Sequence, residues 1–317
     1  MLRVIVNRIG SIAIVMLLVA VMVFSLIHMA PGDPAAIIAG DNATSEQIAS
    51  IRERLGLRDP LPLQFFNWVF AASRGDLGLS IFSGVPVFGL ICERLEPTLS
   101  LTLITIIIAL VIAVTAGVLA AANAGSWIDR AVMALSILGF SAPIFVVGYV
   151  LIYVFAIQLK WLPVQGYASL SAGILDWLQH LILPALSLGL AYVALIARIT
   201  RTAMLDVLAE DYIRTAKAKG VAPDRVLIKH ALRNAGIPIV TVVGIGVALL
   251  IGGVVITESV FNIPGVGRLV VDAISKRDYP IIQGVTLVFS AVYVFINLMV
   301  DLSYGLIDPR IGRNEHA

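Results

Sequence analysis

The sequence predicts an all-α membrane protein with six transmembrane helices, and three observations carry that prediction. Hydrophobic side chains make up 59% of the 317 residues and charged ones only 13%, where a soluble domain holds about 45–50% and about 25%. Mean hydropathy is +0.98. Reading between charges gives six apolar runs, each near the roughly 18 residues that cross a hydrocarbon core of about 30 Å as a helix. These figures exclude a soluble enzyme, a disordered chain and a disulfide scaffold. Cys92 is alone, so neither an intramolecular disulfide nor a cysteine metal site can form. The net charge of +2 is too small to point to nucleic acid as a partner.

The runs cover residues 9–29, 98–123, 131–158, 181–197, 235–257 and 281–300. Arg3 and Arg8 precede the first as they would in a signal peptide. That run is too long for a signal core and lacks an Ala-x-Ala site before Pro31, so it reads as a retained span. Residues 31–97 then form an outer segment with two helical patches. One is 45–55, with Thr44 or Ser45 as N-cap; the other is 62–72, after the Asp59-Pro60 break. Pro143 and Pro184 should kink or begin helices in the third and fourth runs. The fourth run is the shortest, and Arg198 can extend it by snorkelling to the interface. No internal repeat or soluble module interrupts the chain, which reads as one domain over 1–317.

Basic residues set the orientation. The short inner segments hold Arg3, Arg8, Arg130, Arg198, Arg201, Arg214, Lys217, Lys219, Arg225, Lys229, Arg233, Arg310 and Arg313; the short outer loops hold Lys160, Arg268, Lys276 and Arg277. Thirteen against four places both termini in the cytoplasm.

Residues 198–235 are the long inner loop. Thr200 to Lys219 reads as one helix, with Leu205, Leu208, Tyr212 and Ala216 in an apolar stripe. Asp206 and Glu210 repel weakly, while Arg214 pairs with Glu210 or Asp211 for about 0.2–0.5 kcal/mol. Lys217 and Lys219 before Gly220 match a helix C-terminus. Pro223 and Asp224 open a second helix running to about Asn234. Such a hairpin either lies on anionic lipid or docks in a groove on a cytoplasmic partner.

Particular stretches decide between these. Asp211-Tyr212-Ile213-Arg214-Thr215-Ala216-Lys217-Ala218-Lys219-Gly220, then His230-Ala231-Leu232-Arg233-Asn234 and Ile237-Pro238, resemble the coupling loop of binding-protein-dependent ABC importer permeases, most closely the peptide/nickel subfamily. Pro31-Gly32-Asp33-Pro34, Gly75-Asp76-Leu77-Gly78, Thr257-Glu258, Phe261-Asn262, Pro264-Gly265, Arg277-Asp278-Tyr279-Pro280 and Asp308-Pro309-Arg310 extend the resemblance along nearly the whole chain. Two departures stand out. Arg214-Thr215-Ala216 replaces the general family's Glu-Ala-Ala, a variant of the peptide subfamily, and Ala222 stands where Ser would cap the second helix better.

The resemblance implies a type I ABC importer permease fold in a bacterial inner membrane. It further implies a second homologous permease, two ATPase subunits and a periplasmic or lipid-anchored solute-binding protein as partners. On this reading Tyr212, Arg214, Thr215, Ala216, Ala218 and Gly220 form the ATPase-coupling element, with Tyr212 and Ala216 on the docking side and Gly220 at the reversal. Glu258, Phe261 and Asn262 become contacts for the binding protein or substrate. No cofactor is expected, ATP being used by the partner subunits.

Other chemistry finds little support. There is no Gly-x-x-x-x-Gly-Lys-Ser/Thr and no His-Glu-x-x-His, the signatures of a P-loop and a zinc protease. Gly244-Ile245-Gly246 and Gly252-Gly253 lie within a run, where glycine permits close helix packing. Gly139-Phe140-Ser141 precedes Pro143 and reads as a kink rather than a serine nucleophile. Glu258, Asn297 and Asp301 sit at run ends. A stand-alone ion-coupled secondary transporter, the main alternative, needs ion ligands near the midplane.

The orientation is directly testable. With Cys92→Ser as background, a cysteine at position 41 should react with an impermeant thiol reagent added outside intact cells, and cysteines at 220 and 317 should not. Labelling at 220 would reverse the topology.

Overall fold

The computed structural model describes residues 2–29, 35, 44–54 and 58–307. Pro31-Gly32-Asp33-Pro34, Asp41, Asp308-Pro309-Arg310, Arg313 and Ala317 lie outside the described residues, as do the side chains of Arg3, Arg8 and Asp301. Helices, in order, are α1 (Leu2–Met29), α2 (Ser45–Arg54), α3 (Leu61–Ser73), α4 (Val87–Ala122), α5 (Trp127–Ser141) and α6 (Ile144–Leu151), the last continuing as a π-helical stretch, Ile152–Gln158. Then come α7 (Ile174–Leu208), α8 (Asp211–Ala218), α9 (Pro223–Arg225) with a second π-helical stretch, Val226–Leu232, α10 (Gly236–Val260), α11 (Val266–Lys276) and α12 (Tyr279–Ile307). Among the described residues the only β pairing is an isolated bridge between Leu79 and Pro86.

Among the described residues three helices are each long and apolar enough to cross a membrane: Val87–Ala122, Ile174–Leu208 and Tyr279–Met299. Two broken pairs raise the number to as many as five. The third apolar run is therefore not one straight helix, as expected from its sequence. It breaks at Ala142-Pro143, and the axes of Trp127–Ser141 and Ile144–Gln158 differ by 107°. Pro143 fixes its own φ and disfavours helix at the residue before it, and Ala142 is accordingly extended (ψ 128°). Pro184, by contrast, lies inside an unbroken α7.

The chain divides into two compact units. One comprises 1–96 and 265–294 and the other 97–264 and 295–317. In the first, Val87 and Ile91 pack with Val266, Leu269 and Ala273 of α11 and with Ile281 and Val285 of α12. Phe24 of α1 meets Phe65 and Trp68 of α3 at 5.4 and 5.9 Å between ring centroids. Asp278 is buried; it accepts hydrogen bonds from the Ser80 hydroxyl at 2.6 Å and the Ile81 N–H at 3.2 Å, fastening the 76–86 loop.

The second unit is built around α7. On α4, Leu101, Thr105, Ala109 and Ala113 are buried, while Leu99, Leu103, Ile107 and Val111 are exposed. Four-residue spacing keeps each set on one face, and with apolar side chains on both faces the outer one suits lipid. Leu181, Leu188, Tyr192 and Ile196 of α7 complete the core with Leu250 and Val254 of α10. The Tyr192 hydroxyl donates to the Val243 carbonyl at 2.7 Å.

Small residues set the helix spacing. A Cβ on Gly246 would fall within the Tyr192 ring, and one on Gly253 would lie 2.5 Å from Leu188 Cδ1, whereas Gly252 has open space. Gly246 and Gly253 thus have the packing role expected of them. Gly246→Ala should lower the thermal midpoint of the detergent-solubilised protein, with overpacking costing about 1–3 kcal/mol. Gly252→Ala should be neutral or stabilising, since Ala favours helix by about 1 kcal/mol. Equal midpoints for the two variants would remove the steric account.

Candidate functional site

The inner loop begins where α7 ends. The expected single helix over 200–219 is two: α7 stops at Leu208, and Glu210, extended (ψ 147°), stands at the N-cap position of α8 without a side-chain cap bond. Electrostatics explains the division. Within a continuous helix Glu210 and Asp211 would lie too far from either end to gain from the helix dipole, whereas at the start of a new helix they meet its positive end. The break also changes which residues point inward. Ile213 is fully buried, while Asp211, Arg214, Thr215 and Ala218 are exposed along one face. Tyr212 is 43% exposed, and Ala216 is half-buried.

Local hydrogen bonds shape α8. Arg214 Nη1 lies 3.3 Å from Asp211 Oδ1, both highly exposed, so the pair adds little stability. The Thr215 hydroxyl donates to the Asp211 carbonyl at 3.0 Å. At the C-terminus the Val221 N–H bonds to the Ala216 carbonyl (3.2 Å) and the Gly220 N–H to the Lys217 carbonyl (3.0 Å). With Gly220 at φ 76°, this is a Schellman ending, which needs a left-handed residue at that place. A Cβ on Gly220 would meet nothing within 4 Å, so the demand for glycine comes from the backbone alone.

The return limb differs from the expected α-helix to Asn234. Pro223–Arg225 makes one turn, with no side-chain cap from Ala222, and Val226–Leu232 is π-helical. Asn234 closes the hairpin by donating to the Tyr212 hydroxyl at 2.7 Å and to the His230 carbonyl at 2.8 Å. Beneath it, Ala203 and Met204 of α7 pack with Ala231, Ala235 and Ile239. Lys217, Lys219, Arg225, Lys229 and Arg233 are exposed, giving the loop a basic outer surface.

Two contacts near the end of α7 were not foreseen from sequence. Arg201 forms a two-pronged ion pair with Asp129 of α5: Nε donates to Oδ1, and Nη2 donates to Oδ2 at 2.7 Å. The Gly125 N–H adds a third bond to Oδ2 at 2.9 Å. The side chains are 5% exposed for Asp129 and 25% for Arg201. One residue earlier, Thr200 is buried against Gly117 of α4, where an added Cβ would lie 2.6 Å from Thr200 Cβ and 2.7 Å from the Ala197 carbonyl oxygen. The available signal for the ion pair was an aspartate just ahead of the third apolar run, since carboxylates at a membrane helix require partners.

At the other end of α10 the three expected contact residues separate. Glu258 is fully buried and accepts from the Thr98 hydroxyl at 2.6 Å. Phe261 is 2% exposed; its carbonyl accepts from the Gly166 N–H at 2.9 Å, and its ring lies 3.2 Å from where a Gly148 Cβ would stand. Both are interior groups in this conformation. Asn262, with φ 54°, is the exposed member of the three. Among the described residues no cluster of three or more His, Cys, Asp or Glu is placed to hold a metal.

Comparison with known proteins fits this arrangement. Residues 113–313 match the binding-protein-dependent transport system inner membrane component family, and residues 1–102 match that system's membrane component N-terminal family. A probable peptide ABC transporter permease, y4tP, of Sinorhizobium fredii (strain NBRC 101917 / NGR234) is 56% identical, over 97% of this chain and 98% of its own length. The glutathione transport system permease GsiC of Escherichia coli (strain K12) is 45% identical, over 98% and 99%. In fold, the chain is similar to a chain from inward-facing structures of the MetNI methionine ABC transporter, with a TM-score of 0.57 at 18% identity, covering 69% of this chain and 96% of that one. With matches spanning nearly its whole length, the chain belongs to the family of binding-protein-dependent transport system inner membrane components, the permease subunits of ABC importers.

Proposed function

We propose that the chain is the translocation subunit of a peptide importer in a bacterial inner membrane. It works with a second homologous permease, two ATPase subunits and a solute-binding protein on the outer side. The substrate class rests on relatives named for peptide and for glutathione transport, and glutathione is itself a small peptide. In this reading all of 1–317 is one permease domain with six spans and both termini cytoplasmic. The spans are α1, α4, the broken α5–α6 pair, α7, α10 and α12. Residues 31–97 lie outside and the 198–235 loop inside.

The observation that carries the mechanism is the geometry of α8. It is a short helix with one exposed face, seated through Ile213 and held between α7 and the return limb. Such a helix fits a groove on a partner. The ATPase subunits close around ATP and move their grooves, α8 follows, and α7 carries the displacement to the spans. Loaded binding protein then meets an outward-facing path. Asp211, Arg214, Thr215 and Ala218 present the outer face, with Tyr212 at its flank. ATP chemistry stays with the partner subunits, and this chain needs no cofactor. On this reading Asn262, which is exposed, is the contact for the binding protein or the entering substrate.

Gly220→Val should uncouple transport without preventing insertion. A side chain in the left-handed region costs about 1–2 kcal/mol, enough to weaken ATPase association roughly 5–30-fold. Gly220→Asn should retain more function, because Asn tolerates that region. Co-purification of the ATPase subunits and uptake of labelled peptide, at matched membrane abundance, measure both effects. Normal values for Gly220→Val would leave the coupling role of α8 without support. A hairpin resting loosely on lipid would tolerate the substitution. Separately, the purified chain alone should neither bind nor hydrolyse ATP, and stoichiometric nucleotide binding by the isolated chain would contradict the division of labour.

A further inference from the structure

From the contacts at the end of α7, we infer that the Asp129–Arg201 ion pair is a positioning device for coupling. It locks the loop-bearing end of α7 to the start of the broken α5–α6 pair, so that displacement of α8 turns both together. The inference rests on the coupling role of α8.

Geometry is the first support. Arg201 lies seven residues before the last residue of α7, and Asp129 lies in the first turn of α5. Apolar packing between two helices is non-directional and tolerates sliding. A guanidinium fork on a carboxylate fixes distance, rotation and register at once. The carboxylate is itself held by the Gly125 N–H, and the Ser126 hydroxyl caps the Asp129 N–H at 3.4 Å, so the acceptor is fixed before the arginine arrives. The neighbouring residue gives independent support. Thr200 meets Gly117 too closely for even a methyl group on that glycine. The end of α7 is thus clamped to α4 by steric contact and to α5 by charge, and neither joint can slip.

Energetics separates this role from simple stabilisation. A largely buried ion pair is often replaceable by apolar residues of similar volume without loss of stability, whereas removing one partner leaves a costly unpaired charge. A double variant can therefore keep the fold and lose the register. The experiment uses the whole importer, with its ATPase subunits and binding protein, in proteoliposomes. Uptake of labelled glutathione or trialanine, whichever the unmodified importer carries, is measured against ATP hydrolysed.

D129L/R201M should assemble with an unchanged thermal midpoint yet transport about five-fold less or lower per ATP, the scale of a weak coupling free energy. A stable double variant with the normal transport-to-ATP ratio overturns the inference. If the double variant does not assemble, Arg201→Lys decides. It keeps the charge but cannot form the fork, so a lowered ratio supports the positioning role and a normal ratio overturns it. Failure of the underlying reading is separable. Normal uptake and ATPase association in Gly220→Val remove the coupling loop itself, whereas an impaired Gly220→Val beside normal pair variants removes the ion-pair role alone.

Discussion

A backbone in hydrocarbon has no water to satisfy its amide groups, so every N–H and C=O must find a partner within the protein. The rest of the fold depends on that constraint. It makes the described chain helical and makes each departure from regular helix a matter of substitute partners. Where α5 gives way to α6, the Ala142 N–H still reaches the Leu138 carbonyl, and the Ser187 hydroxyl of α7 donates to the Ile144 carbonyl at 2.9 Å. Tyr192 does the same for the Val243 carbonyl on α10. After the π-helical stretch following α6, the Trp161 N–H bonds to the Phe155 carbonyl at 2.9 Å. At these breaks the local backbone keeps its N–H groups paired, and hydroxyls of α7 add bonds to carbonyls of α6 and α10.

The same constraint explains why α7 is central. Its apolar positions form the middle of the core, its hydroxyls and aromatic group serve the neighbouring helices, and its end carries the loop. Helix association in a membrane gains little from burying apolar surface, since lipid is equally apolar, and depends instead on close approach and polar contacts. Gly117, Gly246 and Gly253 supply the close approach, and Asp129–Arg201 supplies the charged contact.

Much of this was legible in the residues, and the failures have physical causes. The composition, the apolar runs, the proline break before α6 and the glycine at the end of α8 were all readable, because each follows from local chemistry. The continuous helix over 200–219 was not what forms. Periodicity ran through Leu205, Leu208, Tyr212 and Ala216, but two adjacent carboxylates preferred to start a helix rather than continue one, and the break made Ile213 the inward residue. Glu258 and Phe261 read as contacts for a binding protein or substrate near a run end; that Thr98 and Gly148 enclose them was not readable, because those contacts join residues more than a hundred positions apart. In the sequence Arg201 speaks only to orientation. Its partner, 72 positions away, could be named only with α5 laid against α7.

The length of α7 has a mechanical consequence. Thirty-five residues make a rod of about 52 Å, whereas the hydrocarbon core measures about 30 Å. A rod so much longer than that layer would act as a lever if it tilted within the bilayer. If the fulcrum is near its centre, the arm to the loop is about 26 Å, and a tilt of only 10° moves the tip by roughly 4–5 Å. The tip moves by about one helical turn while residues at the fulcrum hardly shift, so a large stroke at the membrane surface is compatible with a core that stays packed.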